Sequence, residues 1–142
     1  MEDRIARAVQ NHKNGYSCSQ AVFCSFCDRW GIAEEDGCRL AEGFGSGMGR
    51  LHLTCGAVTA MFLLAGLKLG SGVPGDGSTR DETYETVQSL AAAFTERCGT
   101  TVCGELLAQN EREPGRTCTD YVACAAALVD SMLCGSESEN RP

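Results

Sequence analysis

The sequence lacks the features of a nucleic-acid-binding or membrane protein. Its twelve Lys and Arg residues are scattered among nineteen Asp and Glu residues, and the net charge is -7. Such a charge repels phosphate backbones and anionic lipids. The longest apolar run, Ala57–Leu67, is too short to span a bilayer and is typical of a core helix. We therefore expect neither nucleic acid nor a membrane as a partner.

The N-terminal residues also lack the apolar segment of a signal peptide. The stretch MEDRIARAVQ is charged and amphipathic. A cytoplasmic location is the expectation that follows. Because thiols stay reduced in that compartment, cysteines there serve more often as metal ligands, redox groups or small buried side chains than as disulfides.

Strand-like alternation of apolar and polar residues is missing, whereas apolar positions recur at helical spacing in several windows. No linker divides the chain, and 43% of its residues are hydrophobic, which is enough for one core. The sequence predicts one all-α domain over residues 1–135, a bundle of about five to seven helices, with a disordered tail at 136–142. The predicted helices are Asp3–His12, Cys18–Trp30, Glu34–Glu42, Cys55–Leu69, Thr79–Arg97, Val102–Gln109 and Cys118–Leu133.

Cysteine is unusually frequent for a chain of this length, with ten cysteine residues. Four of them lie at or beside predicted helix starts. Ser17 and Gln20 form a predicted capping box around the first of these, and Thr117 and Asp120 repeat the pattern around the last. Thr54 can cap the second, whereas the residues before the third are poorer caps. The four candidate site residues are Cys18, Cys55, Cys103 and Cys118.

A helix start changes the chemistry of a thiol. The first turn leaves backbone N–H groups without partners and carries the positive end of the helix dipole, and both effects favour a thiolate. We therefore predict that Cys55, directly before a long apolar run, ionises more easily than an ordinary cysteine.

The other six cysteines are assigned to structure. Three lie inside predicted helices among apolar neighbours, one lies mid-helix, and two precede a glycine at a predicted helix C-terminus, where the dipole disfavours a thiolate. An alternative is a redox pair formed by the CxxC of Cys24 and Cys27. That pair lies about two turns into its helix and has no βαβ pattern around it, so buried packing is favoured. The six are Cys24, Cys27, Cys38, Cys98, Cys124 and Cys134.

The stretch GFGSGMG, residues 43–49, matches neither the dinucleotide-binding nor the P-loop glycine pattern. Its glycines can let the backbone run close to a cluster or to another helix, or the stretch can be a flexible connector. His52 follows it, and this residue can be a ligand, a proton donor or a solvated loop histidine.

Four thiols that converge at one end of a bundle can hold a tetrahedral zinc or an iron–sulfur cluster. Zinc sites usually take cysteines in close pairs, whereas the gaps between Cys18, Cys55, Cys103 and Cys118 are wide. The spacing therefore favours iron–sulfur, with zinc as the alternative. A helical interaction protein with incidental cysteines is the third interpretation.

The chain resembles the family of redox-active proteins named after its C_GCAxxG_C_C cysteine signature. By position, the resemblance implies that Cys18, Cys55, Cys103 and Cys118 are the signature cysteines. It also implies a helical fold, redox activity, and similarity to a domain of split-Soret cytochromes associated with an iron–sulfur centre. Thr54 stands in place of the first motif glycine, and Thr59 or Ala60 in place of the last. The matching segments begin CSQAV, GFGSGMG, CGAVT, CGELL and CTDYV.

Together these points predict a redox-active protein that binds an iron–sulfur cluster through the four cysteines and acts in electron transfer with a partner protein. The alternative is an enzyme, a thiol–disulfide oxidoreductase in which Cys55 attacks and Cys18 or Cys118 resolves. An apolar helix surface and a centre near the domain edge are also compatible with a homodimer.

Overall fold

The computed structural model describes residues 3–135, and within that range the regular structure is helical, apart from one isolated β-bridge. The all-α prediction is confirmed. The seven α-helices of eight residues or more in this range are α1 (Arg4–Lys13), α2 (Cys18–Phe26), α3 (Glu34–Ala41), α4 (Gly56–Leu69), α5 (Arg80–Cys98), α6 (Cys103–Arg112) and α7 (Cys118–Val129).

All seven predicted helices are present, and the differences lie at their ends. The second one ends as an α-helix at Phe26 and continues as a 3-10 turn to Trp30, where the left-handed Gly31 stops it. The last ends as an α-helix at Val129 and continues as a π-helical turn over Asp130–Cys134. The predicted tail, 136–142, lies outside the described residues.

The core is built around α2, which packs against α1, α4 and α7 and has few exposed residues. Its aromatic side chains, Phe23 and Phe26, are buried, and each large apolar side chain removed from water contributes about 1.5–3 kcal/mol. Phe26 and Met61 are fully buried core residues, whereas Trp30 and Phe62 are only partly buried. No helix among residues 3–135 is long and apolar enough to cross a bilayer.

A single β-bridge between Thr54 and Val102 joins the starts of α4 and α6. The N–H of Cys55 donates to the carbonyl of Thr101 at 2.8 Å, and the N–H of Cys103 donates to the carbonyl of Leu53. Two helix starts that are distant in the sequence are therefore held side by side. This contact forms only in the folded protein, and no local pattern in the sequence predicts it.

Candidate functional site

The four candidate cysteines line one cavity of about 190 Å³. Cys18, Cys103 and Cys118 are the first residues of α2, α6 and α7, and Cys55 is the residue that caps the start of α4. The starts of four helices therefore meet at this cavity. Because each start carries the positive end of a helix dipole, the cavity favours negative charge.

Local hydrogen bonds fix two of these helix starts, as the capping pattern predicts. The N–H of Gln20 donates to Ser17 Oγ at 3.3 Å, and the N–H of Ser17 donates to Gln20 Oε1 at 3.1 Å. At the other site the N–H of Thr117 donates to the Asp120 carboxylate at 2.8 Å. The predicted capping chemistry therefore places the first residues of α2 and α7.

The prediction that Cys55 ionises easily is wrong for this structure. Its side chain is 6% exposed, and burial raises the pKa of Cys55 to about 12, although the N–H groups of Ala57 and Val58 act in the opposite direction. Burial likewise raises the pKa of Cys103 and of Cys118. The cost of removing a thiolate from water exceeds the benefit of the helix start. These thiols are neutral at pH 7 unless a ligand replaces their protons.

The four cavity cysteines do not form a ready-made site for a single metal ion. Within residues 3–135, no three His, Cys, Asp or Glu side chains are placed where they could hold one metal ion. A tetrahedral zinc with four sulfurs at about 2.3 Å needs those sulfurs about 3.8 Å apart. The described side chains do not form such a site.

The glycine-containing stretch lies against the cavity with unusual backbone geometry. Ser46, Met48, Arg50 and His52 have φ values of 53°, 69°, 70° and 59°. Each non-glycine residue in this left-handed region costs about 1–2 kcal/mol. A Cβ at Gly47 would lie 2.5 Å from Cys103 Cβ, so the backbone approaches the start of α6 as closely as it can. The expected close approach to a helix is present.

Both histidines of the chain line the cavity. His52, singled out from the sequence, is exposed at its edge. His12 was not predicted. Its Nδ1 lies 2.8 Å from Thr119 Oγ1, and burial lowers the pKa of His12. No local motif marks His12, because it comes from α1 and meets α7 only in the folded protein.

Two linked side-chain hydrogen bonds lead to the sulfur atom of Cys118. The Asn110 amide donates to Cys118 Sγ at 3.8 Å, and Tyr121 Oη donates to Asn110 Oδ1 at 2.7 Å. Tyr121 is buried and lines the same cavity. This arrangement orients a donor toward a sulfur atom, which stabilises that sulfur when it carries negative charge.

The cysteines assigned to structure form contacts of their own. Cys24 Sγ and Cys38 Sγ are 3.3 Å apart. Cys124 accepts a hydrogen bond from Cys98, and this bond, with the nearby Arg97, lowers the pKa of Cys124 to about 7. Cys24 and Cys27 of the CxxC are both fully buried, as favoured from the sequence.

A comparison with family models places residues 16–132 in the family described as "Putative redox-active protein (C_GCAxxG_C_C)". The chain belongs to this family. The matched range contains all four cavity cysteines, and the description of the family gives redox-active as its functional class. A search of curated proteins found no match, and a search of solved structures found none either.

Two departures from the family signature have structural consequences. Thr54, in place of a glycine, takes part in the bridge to Val102. Thr59 donates from its hydroxyl to the Cys55 carbonyl at 3.4 Å within α4. Neither side chain is among those that line the cavity, so both substitutions leave the four sulfurs in place.

Proposed function

We propose that Cys18, Cys55, Cys103 and Cys118 bind an iron–sulfur cluster and that the protein transfers electrons to or from a redox partner protein. The observation that carries the proposal is the convergence of these four thiols, from four helix starts, on one cavity of about 190 Å³. Four cysteine thiolates are the usual ligand set of such clusters.

The cavity thiols fit a cluster better than a single metal ion. In a cluster the four cysteines bind two or four irons rather than one metal atom, so their sulfurs do not all have to meet around one point as they do around zinc. Among the described residues, the lack of three ligand side chains close enough for one ion agrees with this difference. Zinc is therefore the less favoured cofactor.

The protein side chains and amides would tune such a centre, which supplies one-electron transfer when bound. The N–H groups of Ala57 and Val58 donate to Cys55 Sγ, and Asn110 donates to Cys118 Sγ. Hydrogen bonds to sulfur and the positive helix ends stabilise the more negative, reduced state and raise the reduction potential. Burial acts in the opposite direction, because it disfavours added charge.

The alternative function, a thiol–disulfide oxidoreductase with Cys55 as the attacking group, has less support. Attack requires a thiolate. Burial raises the pKa of Cys55 to about 12, so the thiol is neutral at the pH of a cell. An attack by Cys55 on a disulfide is therefore slow.

The test is anaerobic purification, with reconstitution by iron and sulfide, followed by a visible spectrum and by iron, sulfide and zinc analysis. We expect a brown protein with equal amounts of iron and sulfide. Cys118→Ser should lose most of the colour, whereas Cys124→Ser, on the same helix but outside the cavity lining, should retain it. Colourless protein after reconstitution, stoichiometric zinc, or equal loss in both variants would contradict the proposal.

A further inference from the structure

Three thiols that are not among the cavity-lining residues form a second cluster where α2 meets α3. Cys24 lies in α2, Cys27 opens the 3-10 turn that follows, and Cys38 lies in α3. Cys24 Sγ and Cys38 Sγ are 3.3 Å apart. A disulfide has a sulfur–sulfur bond of about 2.05 Å. The two atoms therefore need to close by little more than an ångström.

The packing around these sulfurs holds the two helices together. A Cβ at Gly37 would lie 2.8 Å from Cys27 Sγ and 3.3 Å from Cys24 Sγ, so the backbone of α3 rests directly on the sulfurs of α2 and its turn. Cys24 Sγ also donates to the carbonyl of Glu34 at 3.7 Å. The short approach of Cys38 to Cys24 is thus part of a close helix contact.

The two thiols differ in access. Cys38 is partly exposed and lines an open surface depression with Tyr16, Glu34 and Glu35. Cys24 is fully buried behind it. A hydrogen bond to Cys27, together with burial, raises the pKa of Cys24, so this partner is a neutral thiol. An accessible thiol backed by a buried second thiol is the arrangement in which oxidation of the first is resolved by the second.

We propose that Cys38 and Cys24 form a peroxide-sensitive dithiol pair, separate from the four-cysteine cavity, that closes to a disulfide between α3 and α2. Cys38 Sγ attacks one oxygen of hydrogen peroxide, the O–O bond breaks, and the products are the sulfenic acid of Cys38 and one water. Cys24 Sγ then attacks Cys38 Sγ, the S–O bond breaks, and a second water leaves with the Cys24 proton. Two thiols lose two electrons, and one peroxide gains them.

The surroundings favour a small neutral oxidant. The carboxylates of Glu34 and Glu35 and the guanidinium of Arg39 border the depression, so its lining carries a small net negative charge that disfavours anionic oxidants. Hydrogen peroxide is neutral and small enough to reach a partly buried sulfur. It is therefore the probe for the experiment.

The experiment treats the reduced full-length protein with hydrogen peroxide, alkylates the remaining thiols, digests with trypsin and maps the peptides by mass spectrometry. Cleavage after Lys13, Arg29 and Arg39 places Cys24 in peptide 14–29 and Cys38 in peptide 30–39. We expect these two peptides to become linked, the link to disappear on reduction, and fragmentation of the linked pair to place the bridge at Cys24.

Variants provide matched controls. Cys27→Ser should retain the link between peptides 14–29 and 30–39, and Cys24→Ser should lose it. The proposal is overturned if Cys38 remains alkylatable after treatment, if it proceeds to sulfinic acid without a link, or if the bridge maps to Cys18 or Cys27. Because fragmentation of the wild-type peptides locates the bridge, the test does not depend on the folding of either variant.

Discussion

Each cavity thiol experiences two opposing effects, the attraction of a helix start for negative charge and the cost of burying that charge. At Cys55 burial is the larger effect, and it raises the pKa from the reference value of 9.0 to about 12. Any ligand that requires a thiolate must therefore displace a firmly held proton. If the proposed cluster binds these thiols, its assembly is therefore more favourable at higher pH.

The same pKa predicts how the metal-free, reduced protein responds to pH. The folded state keeps the Cys55 proton up to about pH 12, whereas the unfolded chain loses it near 9. Its contribution to stability is thus complete below pH 9 and is lost as pH rises toward 12. Between these limits, Cys55 should lower the free energy of unfolding of the wild-type protein by about 1.4 kcal/mol per pH unit. Cys55→Ala should remove this part of the decline.

Urea unfolding at several pH values, with reductant present, measures this decline. Val58→Ala is the matched control, because Val58 is fully buried in the same helix and does not titrate. It should lower stability equally at every pH. If Cys55→Ala follows the wild-type pH dependence, the assigned pKa is incorrect.

At the scale of single residues, the sequence identified the four cysteines but not their ionisation. Helix starts are visible in local patterns such as Ser17 to Gln20. Burial depends on which segments pack over a residue, and the cover over Cys55 comes from distant parts of the chain. His12 was missed for the same reason, since its contact with Thr119 spans 107 positions.

At the scale of helices, α4 begins with a glycine that its surroundings require. The family signature has alanine after its central cysteine, and this chain has Gly56. A Cβ there would lie 2.7 Å from both Cys18 Sγ and the Phe44 carbonyl oxygen. Gly56→Ala should therefore destabilise the protein by about 1–3 kcal/mol and displace the Cys18 sulfur from its place at the cavity.

Gly66 of the same helix is the matched control. A Cβ at Gly66 meets no heavy atom within 4 Å, so Gly66→Ala should stabilise the helix by about 0.5–1 kcal/mol. Thermal unfolding of the two variants measures the contrast. Equal effects of both substitutions would show that the close contact at Gly56 is not present in solution.

At the scale of the whole molecule, the buried core extends well beyond the residues that line the cavity. Large side chains such as Phe26, Met61 and Phe94 are buried within the bundle and do not themselves line the cavity. We therefore expect the metal-free protein to keep its helical circular dichroism and to unfold cooperatively. Small metal-dependent domains lose their fold on chelation. Loss of helix after removal of metal would place this protein among them.

The helical bundle could be predicted from the sequence, because helical periodicity and turn residues are local signals. The shared cavity was only an expectation, since it depends on how the helices pack. The left-handed residues from Ser46 to His52 carry no sequence signal apart from the interspersed glycines. Their geometry is imposed by the tertiary contacts of that stretch, including the one at Cys103.

The bridge between Thr54 and Val102 also determines when part of the site loses its conformational freedom. The amides of Cys55 and Cys103 donate across it, so neither residue can shift relative to the other without breaking hydrogen bonds. These two positions of the proposed ligand set are therefore ordered when the chain folds, as Cys18 and Cys118 are at their capped helix starts. The backbone entropy of fixing the four cysteines is lost during folding, and a ligand that later enters the cavity has only side-chain rotations to immobilise.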